Sequence, residues 1–456
     1  MNSLKIQNVL FLTSDPIGSR MAGPGIRSVC LAQALKDHGF NVQIATTGTC
    51  SAIENIPSVH VDKNDSRNFS ELENWADAIV FQALGFEEFP KLRKSRKFLV
   101  ADAYAPVVFE NLARLEKQPG SLANFAISEA SRIQRELIFR SDLLLCANQN
   151  QRNFYLGVLS GITSIDSVQY SAHPNLDSRV LVVPFGLSRE LPTHHSQVIK
   201  GRVTGIGEKD KVVLWSGGLY EWFDLENLIR AFALISQSNS SVKLFFMGGR
   251  HPNSDIPDMP VVLRAKQLAR QLGILDKSVF FNDSWVEYEE RASYLLEADL
   301  GITTHFDTLE TTFSFRTRML DYIWAGLPVV STEGDFFSDQ IKRLNLGKVA
   351  DFESPEEIAD SILGLLNDND EYFQAKSNIE KLKNDFYWDK VAAPLINALE
   401  NAPLPRAKKD KRYLLLPLRR NSVINKFKPA ILHSREILRT EGLSSLLKKV
   451  WQKIVK

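Results

Sequence analysis

The residues best suited to chemistry lie between Leu300 and Asp335, in the run LGITTHFDTLETTFSFRTRMLDYIWAGLPVVSTEGD. There an apolar strand meets acids, hydroxyls and two arginines, Arg316 and Arg318. Phe315, Met319, Tyr322 and Ile323 repeat at helical spacing, so residues 311–326 predict one helix, its first turn capped by Thr312 or Ser314 and its end set by Gly326-Leu-Pro328. On that reading both arginines sit in its first turns, at the positive end of the helix dipole, where a cation is disfavoured unless an anion lies beside it. Backbone N–H groups, the hydroxyls of Thr311, Thr312 and Ser314, and two guanidiniums would make a cradle for a diphosphate. The plain alternative is an exposed basic helix start.

Other candidates follow strands in the same way. Gly23-Pro-Gly25-Ile-Arg-Ser28 occupies the place of a dinucleotide-binding GxGxxG, but the third glycine is missing and VQIATTGT supplies no ribose-binding acid. A nicotinamide or flavin site is thereby excluded. What remains is a turn at Gly25 whose amides approach a phosphate or sugar, or simply a tight turn. Gly217 and Gly218 in WSGGLYEWFD allow close backbone approach to a ligand, and MGGRH repeats the arrangement with Arg250. Asp102 ends a strand in VADAYAPVVFE, as a catalytic or a capping carboxylate. His305 is placed to hydrogen-bond a sugar hydroxyl or phosphate, or is an ordinary loop histidine. Asp368-Asn-Asp370 has the spacing of a metal chelate but follows an amphipathic helix in a polar turn, and it reads as a helix end. No metal site or cofactor is expected, and the chain has no P-loop, HExxH or GxSxG.

The elements that must hold these residues are strands and helices in alternation. NVLFLT, VQIAT, DAIVFQA, KFLVAD, DLLLCAN and RVLVVPFG are continuous apolar runs, suited to strands buried on both faces of a parallel sheet. The polar stretch 188–210 reads as a linker, after which KVVLWSGG, VKLFFMGG, SVFFND, LGITTH, LPVVST and VADFES restart the pattern. The expectation is an α/β protein of two doubly wound domains, residues 1–187 and 211–385, facing a cleft into which both sheets point their carboxyl ends. Residues 386–402 form a terminal helix and 403–456 a basic tail.

Hydrophobic residues make up 44% of the 456, enough for large buried cores, and the three cysteines are odd in number and far apart. A cytosolic protein fits best, without a signal peptide or spanning segment. The net charge of +1 hides a division: residues 406–456 hold 15 Lys and Arg against three acids, leaving residues 1–405 at −11. Leu447, Val450, Trp451 and Ile454 fall on one helical face, with Lys448, Lys449, Lys453 and Lys456 around the other. Such a helix suits an anionic membrane surface, with packing on the protein itself as the alternative. A nucleic-acid partner is not expected, because aromatics are sparse and no nucleic-acid fold is legible.

Taken together, these residues resemble the retaining, GT-B-fold nucleotide-sugar glycosyltransferases of the group-one, or family-four, type, over nearly all of residues 8–400. The carriers are the Gly23 to Gly25 loop, DLLLCAN, VLVVPFG, the block YLLEADLGITTH to LDYIWAGLPVV, and Phe386-Tyr387-Trp388 before a helix that in the family returns across the first domain. The resemblance implies transfer of a sugar from a nucleoside diphosphate to a hydroxyl of a glycan or lipid-linked acceptor, without a metal, in cell-envelope polysaccharide synthesis. It implies Asp321 on the nucleotide ribose, Glu310 on sugar hydroxyls, and Trp285 and Val286 near the base. Two departures stand out. Phe313 occupies the position of the family's first glutamate, so Glu310, three residues earlier, takes that role. The usual Arg and Lys after the second domain's first strand are missing, and Arg316 and Arg318 stand in for them. A nucleotide-sugar 2-epimerase, or a non-catalytic partner subunit at the membrane, is the alternative reading.

Overall fold

The structure is a computed structural model that describes residues 5–403 except 19, 20, 64, 65, 117, 118, 163, 164, 166, 249–258, 283, 285, 288 and 289. Arg250, Trp285 and the basic tail with its amphipathic face lie outside the described residues. Seven strands form the first sheet: β1 (Asn8–Thr13), β2 (Asn41–Thr46), β3 (Ser58–His60), β4 (Ala78–Gln82), β5 (Phe98–Asp102), β6 (Leu143–Cys146) and β7 (Val180–Val182). They are parallel, in the order β3-β2-β1-β4-β5-β6-β7. The second sheet comprises β8 (Lys211–Trp215), β9 (Val242–Phe246), β10 (Val279–Phe281), β11 (Leu300–Thr303), β12 (Val329–Thr332) and β13 (Gly347–Ala350), parallel in the order β10-β9-β8-β11-β12-β13. Both orders reverse direction once, beside β1 and beside β8, and ligands of open parallel sheets bind at such switch points.

Burial explains the strand pattern. Val9 to Leu12, Ala78 to Phe81, Phe98 to Ala101 and Val212 to Trp215 are all buried, because helices cover both faces of each sheet. The stretch 188–210 is irregular but not loose. Ile199 and Ile206 enter the second domain's core, and the Glu297 carboxylate accepts hydrogen bonds from the N–H groups of Val198, Ile199 and Lys200. After the long helix Asn369–Phe386 the chain crosses back. Leu187 N–H donates to Phe386 O, Trp388 N–H donates to Leu187 O, and Leu395, Ile396 and Leu399 of helix Ala393–Glu400 pack into the first domain's core. Asp368 caps the helix Asn369–Phe386 by accepting from Glu371 N–H, which accounts for the Asp-x-Asp pattern.

The helix read across residues 311–326 is instead two, Leu309–Phe313 and Arg318–Ala325, with an extended break at Ser314. The first starts earlier, capped by Thr308, whose hydroxyl accepts from Thr311 N–H. A continuing helix would use the carbonyls of Thr312, Phe313 and Ser314 internally. Side-chain amides of the first domain take them: Asn150 donates to Thr312 O, Gln151 to Phe313 O and Asn148 to Ser314 O. Tertiary hydrogen bonds therefore override the local periodicity. The second helix ends where expected, with Gly326 as a left-handed cap at φ 69°.

Candidate active site

A cavity of about 250 Å³ lies in the cleft between the sheets. The first domain contributes Gly23, Ile26 and the 185–188 segment, and the second contributes Gly217, Met247, Val286, Arg291, Thr317 and Asp321. Gly217 follows β8 with φ 77°, a conformation that favours glycine, and a side chain there would meet no atom within 4 Å. The turn is open toward the cavity. Helix Arg318–Ala325 is fixed above β8 and β11 by Tyr322, which packs on Gly301 where any Cβ would fall 2.5 Å from the ring. Its hydroxyl accepts from Ser216 N–H at 3.0 Å and lies 2.9 Å from the carbonyls of Leu214 and Ile302. That anchorage sets Arg318, one turn earlier, and the adjacent Asp321.

Asp321 reaches the cavity and pairs with Arg291 at 3.3 Å, and the Arg291 guanidinium lies 4.5 Å over the Trp324 ring. Burial raises the Asp321 pKa, and Arg291 opposes the shift. Arg291 and Trp324 carried no legible signal, since a lone arginine opening a helix looks like a solvated charge.

Behind Gly217 and Thr317 lies a buried polar layer. Arg318 lies against the Trp215 and Phe223 rings, 4.2 Å from each, and donates to Gly218 O at 2.7 Å. Among the described residues no carboxylate pairs with it, and its Nη1 has no hydrogen-bond partner. Burial, with the Arg316 charge adding to it, brings the Arg318 guanidinium down to about 10, still cationic at neutral pH. Arg316 makes a bidentate pair with Glu310, both contacts at 2.7 Å, while its Nε is unpartnered, 3.8 Å from Asp335 Oδ2. Burial pushes the Asp335 carboxyl up to about 6 against the pull of Arg316.

Unpartnered buried polar atoms cluster in this layer: Ser216 Oγ, Thr303 Oγ1, His305 Nδ1, Arg316 Nε, Arg318 Nη1 and Asp335 Oδ2. Buried polar groups are normally paired, and a concentration of exceptions at the carboxyl ends of β8, β11 and β12 marks a place built for polar ligand atoms or ordered water. Among the described residues no group of three or more His, Cys, Asp or Glu side chains could hold a metal ion.

Several candidates lie away from the cavity wall. His305 is fully buried and its Nε2 lies 2.8 Å from Glu333 O; burial and Arg316 hold its pKa well below the usual value, so the ring is neutral. The hydroxyls expected to face a ligand are engaged locally: Thr311 donates to Phe306 O, Thr312 to Thr308 O, and Ser314 to Glu310. Gly218 accepts from Arg318 and packs against the Tyr220 ring. Gly25 donates its N–H to Asp15, and a Cβ there would lie 2.9 Å from Pro16 O. The Asp102 carboxylate does not stand free in the cleft. Arg27 clamps both of its oxygens, at 2.8 to 3.0 Å, and also donates to Val183 O and Pro184 O.

The first domain also grips the helix that carries Glu310. Phe313 stacks on Phe109 at 4.9 Å and leans on Phe154 at 5.3 Å, beside the amide contacts of Asn148, Asn150 and Gln151. Across this contact Glu110 meets the charges of Glu310 and Arg316, with Tyr104 also near; burial first and Glu310 second push its carboxyl up from 4.5 to about 7. Glu110 is then protonated in the folded protein but ionised in the unfolded chain between about pH 4.5 and 7. Its contribution therefore falls as pH rises through that window and is gone above it. Glu110→Gln is expected to raise the melting temperature over wild type at pH 8 and to change it little at pH 4.5. Equal effects at both pH values would refute this reading.

Comparisons with known proteins agree with the geometry. Residues 199–382 match the family model described as glycosyl transferases group 1. By sequence, no curated protein matches the chain. Among solved structures it is similar to HepE of Anabaena in complex with UDP and glucose, at 14% identity and TM-score 0.60, covering 86% of this chain and 99% of that one. WaaG, a glycosyltransferase involved in lipopolysaccharide biosynthesis, gives 16% identity and TM-score 0.57 over 86% and 99%. The trehalose-6-phosphate synthase OtsA gives 12% and 0.61 over 88% and 100%. The chain has the GT-B fold of these enzymes, and most of its second domain, residues 199–382, matches the group 1 glycosyl transferase model.

Proposed function

We propose that the protein transfers a sugar from a nucleoside diphosphate sugar to an acceptor hydroxyl, with retention of configuration at the anomeric carbon. The observation that carries this reading is Arg318, a buried guanidinium with no carboxylate partner among the described residues and an unpartnered donor, next to Arg316 and directly behind the cleft. A diphosphate supplies the missing negative charge. UDP in the Anabaena HepE structure supports a donor of that class.

In this reading the bond between the anomeric carbon and the diphosphate oxygen breaks as the acceptor oxygen attacks. Arg318 and Arg316 stabilise the charge that develops on the leaving diphosphate, in a site where water is scarce and such contacts are worth most. The acceptor proton passes to that diphosphate. Glu310 aims Arg316 and offers its remaining lone pairs to sugar hydroxyls, Asp321 accepts from the ribose, and Gly217 and Val286 receive the nucleotide through backbone and apolar contacts. The two cations do the work of a metal, so chelation is expected to leave turnover unchanged. An acceptor in envelope polysaccharide synthesis is the finer reading, in keeping with the involvement of WaaG in lipopolysaccharide biosynthesis.

The test is donor turnover in Asp321→Ala, which removes the acceptor oxygens. A lost hydrogen bond to a charged group costs about 1.5–3 kcal/mol, so KM for the donor is expected to rise roughly 10- to 100-fold with kcat changed less. An unchanged KM would remove Asp321 from the ribose. Hydrolysis or isomerisation of the donor with no transfer to any acceptor would favour an epimerase instead.

A further inference from the structure

The first domain encloses a second cavity, of about 420 Å³, within the 300–1,000 Å³ range usual for ligand pockets. Its floor is the carboxyl end of the first sheet, with Gln82 of β4 and Asp102 of β5. Those polar groups are already satisfied. Gln82 donates to Pro24 O and Ser28 Oγ and accepts from Thr13, and Arg27 holds both Asp102 oxygens. The facing wall is helix Ser121–Arg140, which presents Ala126, Ala130, Ile133 and Leu137 as one apolar stripe.

A saccharide buried there would lose water from each hydroxyl and find few free partners, which is costly. A hydrocarbon needs none. The rim is apolar as well: Leu84, in the lining, is 45% exposed, and Leu112, beside the lining residue Asn111, is 39% exposed. Every residue of the helix Val107–Leu115 keeps some exposure, so part of the apolar surface at the rim is left uncovered. The cavity also adjoins the cleft. Tyr104 and Pro24 line it, Tyr104 packs edge-on against Phe185 of the cleft wall, and Gly23 lines the cleft.

We propose that this cavity binds the hydrocarbon chain of the acceptor, which makes the acceptor a lipid-linked alcohol whose head group reaches the cleft past Tyr104. The proposal rests on the transferase reading for the word acceptor, though not for the existence of the site. The experiment titrates the full-length protein by calorimetry with 1-alkanols from hexanol to dodecanol, each below its solubility limit, and separately with UDP, GDP and dTDP. Affinity is expected to rise about fourfold per added methylene until the chain fills the cavity, then to level off. Ala126→Trp, at a half-buried position, and Ala130→Trp, at a buried one, are expected to lower dodecanol affinity at least tenfold while nucleoside diphosphate binding stays as in wild type.

Affinity independent of chain length would overturn the proposal. So would undiminished dodecanol binding in Ala126→Trp, or displacement of dodecanol by a soluble maltooligosaccharide. If no nucleoside diphosphate binds the wild type while the chain-length series and its loss in Ala126→Trp persist, the hydrocarbon site stands and the transferase reading falls.

Discussion

Arg318→Met is expected to leave the ligand-free protein at least as stable as wild type and to lower nucleoside diphosphate affinity about 100- to 1,000-fold. The two halves of that result come from the same fact. Arg318 is buried against Trp215 and Phe223, yet among the described residues no carboxylate forms an ion pair with it. Keeping such a charge out of water is costly, and replacing buried charges by apolar side chains of similar size is often neutral or stabilising. Methionine retains the aromatic contacts through its thioether. With ligand present the balance reverses, because one or two charge-assisted bonds to phosphate at about 1.5–3 kcal/mol each are lost. Urea denaturation without ligand and calorimetric titration with ligand measure the two halves. A purely structural arginine would give the opposite pattern, with lower stability and unchanged binding.

Asp102→Ala is expected to cost about 3–5 kcal/mol of first-domain stability, because it strands the fully buried Arg27 guanidinium without its counterion. The double variant Arg27→Met, Asp102→Leu removes both charges and is expected to recover most of that loss. Urea midpoints of Asp102→Ala and of the double variant, each against wild type, separate the outcomes. Activity adds a second reading: if Asp102 acts by holding Arg27 and the 183–184 carbonyls in place, the double variant regains activity along with stability. Full stability with activity still abolished in the double variant would instead assign Asp102 a direct part in the reaction.

Strands were legible because burial on both faces leaves continuous apolar runs, as in NVLFLT and KVVLW. β3 was not, since three residues at a sheet edge, one of them an exposed histidine, leave no such run. Gly217 was singled out from its place after a strand, and Asp321 only through the family resemblance; both line the cleft cavity. The environment of Arg318 was not legible, because the rings it lies against, Trp215 and Phe223, come about a hundred residues earlier. The same holds for Arg27, 75 residues from Asp102, and for the break at Ser314, which depends on amides supplied by residues 148–151. Periodicity reports which face of an element is buried, not which distant side chain meets it.

The most direct measurement is a crystal structure of the protein with whichever of UDP, GDP or dTDP binds it. The account predicts diphosphate oxygens at about 2.7–2.9 Å from Arg318 Nη1, with the ribose at Asp321 in the 250 Å³ cleft. A nucleotide bound elsewhere, or bound in the cleft with Arg318 still held only by Gly218 O and its diphosphate on other groups, would contradict it.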